Sequence, residues 1–476
     1  MMDDPEIVPE DIKDVFERQQ RFKSVLRNTG HTERIRKLKA IRSWIRAHRN
    51  EIREALYRDL HKPVSEADLW EMYVVIREIN YAIRHLRRWM KPIRIRRDLL
   101  FLHARPSVIY EAKGQVLIIA PWNFPFLLSI GPLISAVAAG NCITLKPSEL
   151  APGTSAVLKK LVEDLFPIDE VAVFEGDKEI AISLLNQPFD HICFTGGTET
   201  GRRIMLAAAA NMSSVTLELG GKCPAVVERT ANLRDAVKKI AWGKFSNAGQ
   251  TCVAPDYVLV EDAVHDAFIK LLVDEINQNY ICPVSDPEGE SNGMTRIIDE
   301  KHFVRLGTLF EEAKGSGAET VTGGVFDNKT RWIEPTVLRG VKPGMRLMRE
   351  EIFGPILPVM KFSKPDEATE MINSLSSPLA VYIFSRNRHF RSGLIRDTGS
   401  GGVCLNDLVI QFVHPGMPFG GSGKSGIGRL HGYAGFKEFS NQRTILSGNT
   451  LNALKLLYPP ITPVRQKLID FLFRHW

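Results

Sequence analysis

No CxxC pair occurs among the six cysteines, which stand 51, 30, 29, 30 and 122 residues apart at Cys142, Cys193, Cys223, Cys252, Cys282 and Cys404. That spacing excludes zinc ribbons and thioredoxin-like redox pairs. The opening segment MMDDPEIVPEDIKD is charged where a secretory leader would be apolar, so reduced thiols in a cytosolic compartment are expected. No cluster of metal ligands stands out, and no metal is expected. No repeat of about 20–50 residues recurs, and 36 Gly with 27 Pro in 476 residues exclude collagen-like or low-complexity character.

Net charge is confined to the N-terminal hundred residues. The chain carries 62 basic and 55 acidic side chains, a net +7, and residues 1–100 alone hold 23 against 16, also +7. The basic residues there are mixed with acidic ones at helical spacing, which is the pattern of a solvated helix face, and no nucleic-acid partner is expected. The longest stretch without charge, the 32 residues between Lys113 and Lys146, is long enough to cross a bilayer. It is broken by Pro121, Asn123, Pro125, Pro132, Gly140 and Asn141, and reads instead as a strand over 115–120, a turn over 121–125, a helix over 126–139 and a strand over 142–146. That is a buried βαβ unit.

What is present is alternation. Residues 10–90 read as helices with breaks near Gly30 and Pro63. After the βαβ unit come a helix at 155–166, a strand at 171–175, a helix at 179–185, a strand at 191–194 and a helix at 199–210. The chain is thus expected to be α/β, with a doubly wound parallel sheet whose ligands gather at the strands' carboxyl ends. A second series over 215–406 places strands at 215–219, 225–228, 257–260, 356–362 and 381–385. Residues 98–111 and 418–446 read as β-ribbon, a natural subunit contact.

Four constellations carry chemistry. Cys252 closes Gly249-Gln250-Thr251-Cys252 in a glycine-rich turn beyond a helix, accessible as a nucleophilic thiol must be, unlike the mid-strand Cys193. Glu218 interrupts the apolar strand of Leu217-Glu218-Leu219-Gly220-Gly221-Lys222; it is a general base raised by burial, or a structural carboxylate satisfied by backbone N–H groups or Lys222. Asn123 sits between the prolines of Pro121-Trp122-Asn123-Phe124-Pro125, where a rigid amide donor aimed at an oxyanion contributes about 2.7–4 kcal/mol. The run Phe194-Thr195-Gly196-Gly197-Thr198-Glu199-Thr200-Gly201 ends a strand and starts a helix, a phosphate cradle whose glycine spacing departs from GxGxxG.

Taken together, PWNFP, LKPSE, FTGGTETG, LELGGK, NAGQTC, EEIFGP and MPFGGSGKSGIG occur in this order across nearly the whole chain. In these motifs the chain resembles the NAD(P)-dependent aldehyde dehydrogenase superfamily, and most closely its class 3, fatty-aldehyde-type branch. The resemblance implies a cysteine nucleophile at Cys252, a general base at Glu218 and an oxyanion donor at Asn123. For the cofactor it implies Lys146 and Glu149 on the adenosine ribose, Glu351 on the nicotinamide ribose, Phe353 against the nicotinamide, and Trp122 with Gly196 and Gly197 lining the pyrophosphate. NAD is the expected cofactor, because Glu149 would accept a ribose hydroxyl but repel a 2′-phosphate, with NADP the second candidate.

The implied architecture is a Rossmann-like cofactor domain (1–97 and 112–217), a catalytic α/β domain (218–415), a β-ribbon oligomerisation element (98–111 and 416–446) and an amphipathic tail (447–476). The implied activity is oxidation of a lipophilic aliphatic or aromatic aldehyde to its acid through a thiohemiacetal and thioester, by a homodimer. The alternative is an inactive homologue serving as a structural or membrane-surface protein. The tail, with Val464, Leu468 and Leu472 among Arg465, Lys467 and Arg474, is too short in apolar run to span a membrane. Peripheral membrane contact through it is the remaining membrane reading.

Overall fold

The computed structural model describes residues 9–97, 103–280, 294–449, 455 and 458–475. The ribbon residues 98–102, Cys282, and tail residues 450–454, 456–457 and 476 lie outside this set. The chain is α/β throughout, built on two large sheets, as the alternation predicts.

The first sheet has six strands, ordered Gly426–Ile427, Ser214–Leu219, His191–Gly196, Gln115–Ile119, Cys142–Lys146 and Val171–Val173. Its five long members run parallel, and Gln115–Ile119 and Cys142–Lys146 are buried at every position, which explains their unbroken apolar runs. The crossover helix Leu127–Ala139 ends at Gly140, whose φ of 87° supplies the left-handed cap. The N-terminal helices Pro9–Arg27, His31–Ala47, Arg49–Leu60 and Val74–Trp89 are joined through breaks after Arg27, at His48 and at 61–63, and a π-helical turn, Ala67–Tyr73, leads into the last of them.

The strand Ser214–Leu219, which alternation assigns to the second series, pairs in parallel with His191–Gly196 and completes the first sheet. Alternation reads strand character but not the partner, and the glycine pair 220–221, not residue 214, breaks the chain between sheets. The second sheet has seven strands, ordered Glu319–Thr322, Thr336–Arg339, Ile356–Phe362, Tyr257–Glu261, Pro224–Val227, Ala380–Phe384 and Gly402–Leu405. Three of these, at 319–322, 336–339 and 402–405, are short edge or near-edge strands with no strong apolar signature.

A third sheet pairs Ala104–Ala112 with Ser440–Gly448 along nine residues, flanked by Ile93–Arg94. The ribbon reading of 418–446 holds only for its end. Gly423–Ser425 is a single 3₁₀ turn, Gly426–Ile427 joins the first sheet, and Gly432–Glu438 is a helix that buries Phe436. Positive φ at Gly423, Gly426, Gly428 and Gly432 breaks any continuous strand there.

Candidate active site

The carboxyl ends of three neighbouring strands deliver the site. Gln115–Ile119 runs into the 121–126 turn and so places Trp122 and Asn123; His191–Gly196 ends in Gly196–Gly197; Ser214–Leu219 carries Glu218 one residue from its end. The loop bearing Cys252 follows the helix Leu233–Phe245. Asn247, Ala248 and Gly249 stand in succession at φ of 53°, 52° and 72°. Two of these are side-chain-bearing residues in a region that costs free energy, so the loop persists only because its surroundings hold it. At Gly249 a β-carbon would lie 2.4 Å from the Gly354 carbonyl oxygen, which leaves glycine as the residue that fits.

The restraint on this loop comes from the far N-terminal region. Both carboxylate oxygens of the half-buried Glu66 accept from the Asn247 backbone N–H at 3.1 Å, and one also accepts from the Thr295 hydroxyl at 2.8 Å. The Asn247 side-chain amide donates to the Asn123 carbonyl at 3.0 Å and to the Gln250 carbonyl at 3.1 Å. Lys62, fully buried, donates to the same Asn123 carbonyl at 3.1 Å and is ion-paired with Glu71, which in turn accepts from the Leu127 N–H at 2.9 Å. The loops carrying Asn123 and Cys252 are thereby fastened to one another and to a common buried base.

Asn123 is itself buried, and its side-chain Nδ2 donates to the Gln250 carbonyl at 2.9 Å. An amide nitrogen has two hydrogens, so one fixes the orientation and the other is left to serve a ligand. Cys252 is partly exposed, the only one of the five described cysteines that is not buried. Its thiol is pushed well above the usual range, first by burial and then by the carboxylates of Glu351 and Glu218. Glu218 is buried with neither carboxylate oxygen hydrogen-bonded in the protein. Its carboxyl is likewise raised well above the usual range by burial, with Arg429 opposing and Glu438 adding to the rise. The structural alternative, in which Lys222 satisfies Glu218, does not occur: Lys222 is ion-paired with Asp256 and donates to the Leu347 and Glu350 carbonyls at 2.9 and 2.8 Å.

Two cavities meet at these groups. One, of about 250 Å³, is lined by Trp122, Asn123, Gly196, Gly197, Glu218, Cys252, Glu351 and Phe353. The other is almost wholly apolar and shares Leu128, Thr195, Glu218 and Cys252 with the first. Eight of the ten residues singled out from the sequence therefore face one space. Lys146 and Glu149 do not line it; they form an ion pair at 2.6 Å at the end of the strand Cys142–Lys146, further along the same sheet edge.

The first cavity has the features a dinucleotide requires. The helix Thr198–Ala210 opens at Gly197 with no side-chain cap, which leaves backbone N–H groups free for an anion, and a β-carbon on Gly197 would meet nothing within 4 Å. Phe353, at φ of 51°, stands edge to face against Trp122 at 5.4 Å. Glu351 lies so close to Gly220 that a β-carbon there would fall 1.8 Å from its Oε2. Burial and the nearby Asp256 push the Glu351 carboxyl up to about 8. Its segment is pinned by Arg305, which donates to the Glu351 and Ile352 carbonyls at 3.2 and 2.6 Å.

Sequence reasoning misses the support beneath the site. Lys62, Glu66, Glu71, Arg305 and Asp256 are isolated charges in otherwise ordinary stretches, and only the fold shows that Lys62, Glu71 and Asp256 are buried and that Glu66 and Arg305, half-buried, hold distant backbone groups.

The arrangement is that of an enzyme acting on a carbonyl carbon beside a dinucleotide site. The chain matches the aldehyde dehydrogenase family over residues 2–445 and belongs to it. Aldehyde dehydrogenase family 3 member A2 of Macaca fascicularis is 39% identical over 429 residues, 90% of this chain and 87% of that protein. Among solved structures, the substrate-bound state of Staphylococcus aureus AldH superposes with a TM-score of 0.92 at 36% identity, covering 97% of this chain and 99% of that one. An NAD+ complex of the aldehyde dehydrogenase from Bacillus cereus superposes with a TM-score of 0.85 at 27% identity, covering 93% and 90% of the two chains.

Proposed function

We propose that the protein oxidises a lipophilic aldehyde to its carboxylic acid, with Cys252 as nucleophile, Asn123 as oxyanion donor and Glu218 as general base. The observation that carries this is the meeting of an apolar cavity and a dinucleotide-shaped cavity at the Cys252 thiol and the unpartnered Glu218 carboxyl. The same convergence favours an active enzyme over an inactive homologue. The test is direct: with NAD+ and a medium-chain or aromatic aldehyde, acid and reduced cofactor should form one for one. No reduction with any aldehyde of either class would overturn the reading.

The chemistry follows from the groups in place. The Cys252 thiolate attacks the aldehyde carbon; a carbon–sulfur bond forms as the carbonyl π pair moves onto oxygen, and the free Asn123 N–H donates a hydrogen bond to the resulting oxyanion. Trp122, Gly196, Gly197, Glu351 and Phe353 would hold a dinucleotide beside this adduct, and such a group would supply the hydride acceptor that oxidation to the thioester requires. Glu218 then takes a proton from water, whose oxygen attacks the thioester carbon. The carbon–sulfur bond breaks, and the acid formed passes its proton to the departing sulfur, releasing the carboxylate and the Cys252 thiol. Glu218 is suited to this because no hydrogen-bond donor among the described residues meets its buried carboxylate, so it is a stronger base than an exposed one.

Two outcomes follow from the site. Asn123→Ala removes the side-chain donor we assign to the oxyanion and should lower kcat by about 10²–10³-fold with little change in KM, measured by steady-state kinetics. Both working groups are held on their protonated side, so kcat/KM should rise as pH increases through neutrality and beyond. A profile that falls over that range would contradict the assignment of thiolate and carboxylate as the active forms.

Glu149 supports NAD over NADP. Its side chain is accessible and anchored by Lys146, free to accept ribose hydroxyls and placed to repel a 2′-phosphate. We assign the cofactor role to the segments 1–97 and 112–217, the catalytic role to 218–415, and a dimer contact to the strand Ser440–Gly448, which exposes Ile445 and Leu446 on a sheet edge. The tail helix Pro463–His475 buries no residue and exposes Val464, Phe471 and Phe473, which supports contact with a partner subunit or a membrane interface. Among the described residues no helix is long and apolar enough to cross a membrane.

A further inference from the structure

The apolar cavity contains one polar pair that the mechanism does not use. Its wall is built by Phe124, Leu127, Leu128, Phe412, Phe419 and Leu430, and into this wall are set His431 and Glu78. Glu78 belongs to the helix Val74–Trp89 and is almost entirely buried. One of its oxygens accepts from the Gly432 N–H at 2.5 Å, and the other lies 3.5 Å from Nδ1 of His431. The imidazole stands edge to face against Phe419 at 5.5 Å and Phe412 at 6.0 Å. No other polar partner of this ring is found among the described residues.

A carboxylate and an imidazole in a hydrocarbon wall are costly unless something uses them. The backbone contact to Gly432 accounts for one oxygen of Glu78. It does not account for the histidine, because a phenylalanine would pack as well against Phe412 and Phe419. A carboxylate beside Nδ1 selects the tautomer that carries its proton there, which leaves Nε2 as an acceptor on a residue that lines the cavity.

We propose that His431, oriented by Glu78, is a specificity-determining residue. It accepts a hydrogen bond from a hydroxyl carried by the aldehyde at a distance from its carbonyl. The preferred substrates are then aldehydes with an aromatic or aliphatic body and a remote hydroxyl. Their carbonyl meets Cys252, their body lies on Leu128 and Phe419, and their hydroxyl reaches His431. This inference rests on the dehydrogenase reading above and adds the substrate class.

The physical basis is asymmetric. An apolar pocket barely distinguishes an extra hydroxyl, whereas a site holding a buried acceptor rejects the analogue that leaves it unpaired. The test uses matched pairs: para-hydroxycinnamaldehyde against cinnamaldehyde, and an ω-hydroxyalkanal against its parent alkanal of equal length. In the unaltered protein, kcat/KM should favour the hydroxylated member of at least one pair by about tenfold or more. In His431→Phe that ratio should fall to about one, and His431→Gln, which keeps an acceptor, should retain part of it.

Equal kcat/KM within both pairs, or a preference that survives intact in His431→Phe, would overturn the proposal while leaving the dehydrogenase reading standing. Failure of the unaltered protein to oxidise any of the four aldehydes would take down both. Thermal melts and dinucleotide titration establish that each variant is folded. Should His431→Phe fail to fold, the ratio in the unaltered protein and its change in His431→Gln decide the matter.

Discussion

Cys252→Ala is expected to abolish aldehyde oxidation, lowering turnover by at least about a thousandfold, while the melting temperature and NAD+ binding stay close to those of the unaltered protein. The loss should be this large because the aldehyde carbon has no other covalent partner at the junction of the two cavities. Of the remaining described cysteines, all are buried, and Cys223 is occupied in structural hydrogen bonds to the Cys252 carbonyl at 3.4 Å and from the Ala380 N–H at 3.3 Å. Stability should be spared because the substitution removes one sulfur from a partly exposed position and leaves the hydrogen bonds of the loop in place. The measurements are steady-state turnover, thermal melting and a fluorescence titration with NAD+. Turnover near that of the unaltered protein would show that another group makes the first bond.

Glu218→Gln separates the two halves of the reaction. The first half, up to the thioester, asks nothing of Glu218 beyond help with the thiol proton. The second half needs a base for water, and an amide is not one. The expected result is a rapid burst of reduced cofactor of about one equivalent per site, followed by turnover slowed about 10²–10⁴-fold, with the acyl group retained on Cys252 as a mass increment. Because glutamine is nearly the same size and the native carboxylate oxygens make no hydrogen bonds within the protein, the variant should fold normally. An undiminished steady-state rate with no adduct would remove Glu218 from the role of base.

The residues proposed to touch the reacting atoms were legible in the sequence. Cys252, Glu218 and Asn123 each sit where an element ends in glycine or proline, and such punctuation survives as a pattern in one dimension. The parallel strands were legible for a related reason: Gln115–Ile119 and Cys142–Lys146, sheathed on both faces, must be apolar at every position. What was not legible depends on pairing across long separations. The strand Ser214–Leu219 announces its type but not that its neighbour is His191–Gly196. The stretch before Ser440 reads as ribbon because glycine and apolar residues alternate there, yet left-handed glycines and the buried Phe436 turn it into a coil and a short helix. Lys62, Glu66 and Glu71 look like any charges in a basic helical region. Only their contacts, of Glu66 with Asn247 and of Lys62 and Glu71 with the backbone of Asn123 and Leu127, reveal their use.

That remote attachment has a bearing on how the molecule comes to life during synthesis. The left-handed run of the Cys252 loop is held in part by Glu66, and Glu218, the proposed base, lies on a strand paired with Gly426–Ile427 near the other end of the chain. Contacts of such wide separation close late. A nascent or clipped chain lacking either end would therefore carry a dormant thiol. During thermal unfolding, catalytic competence should vanish in step with the cooperative collapse of the whole, not before it.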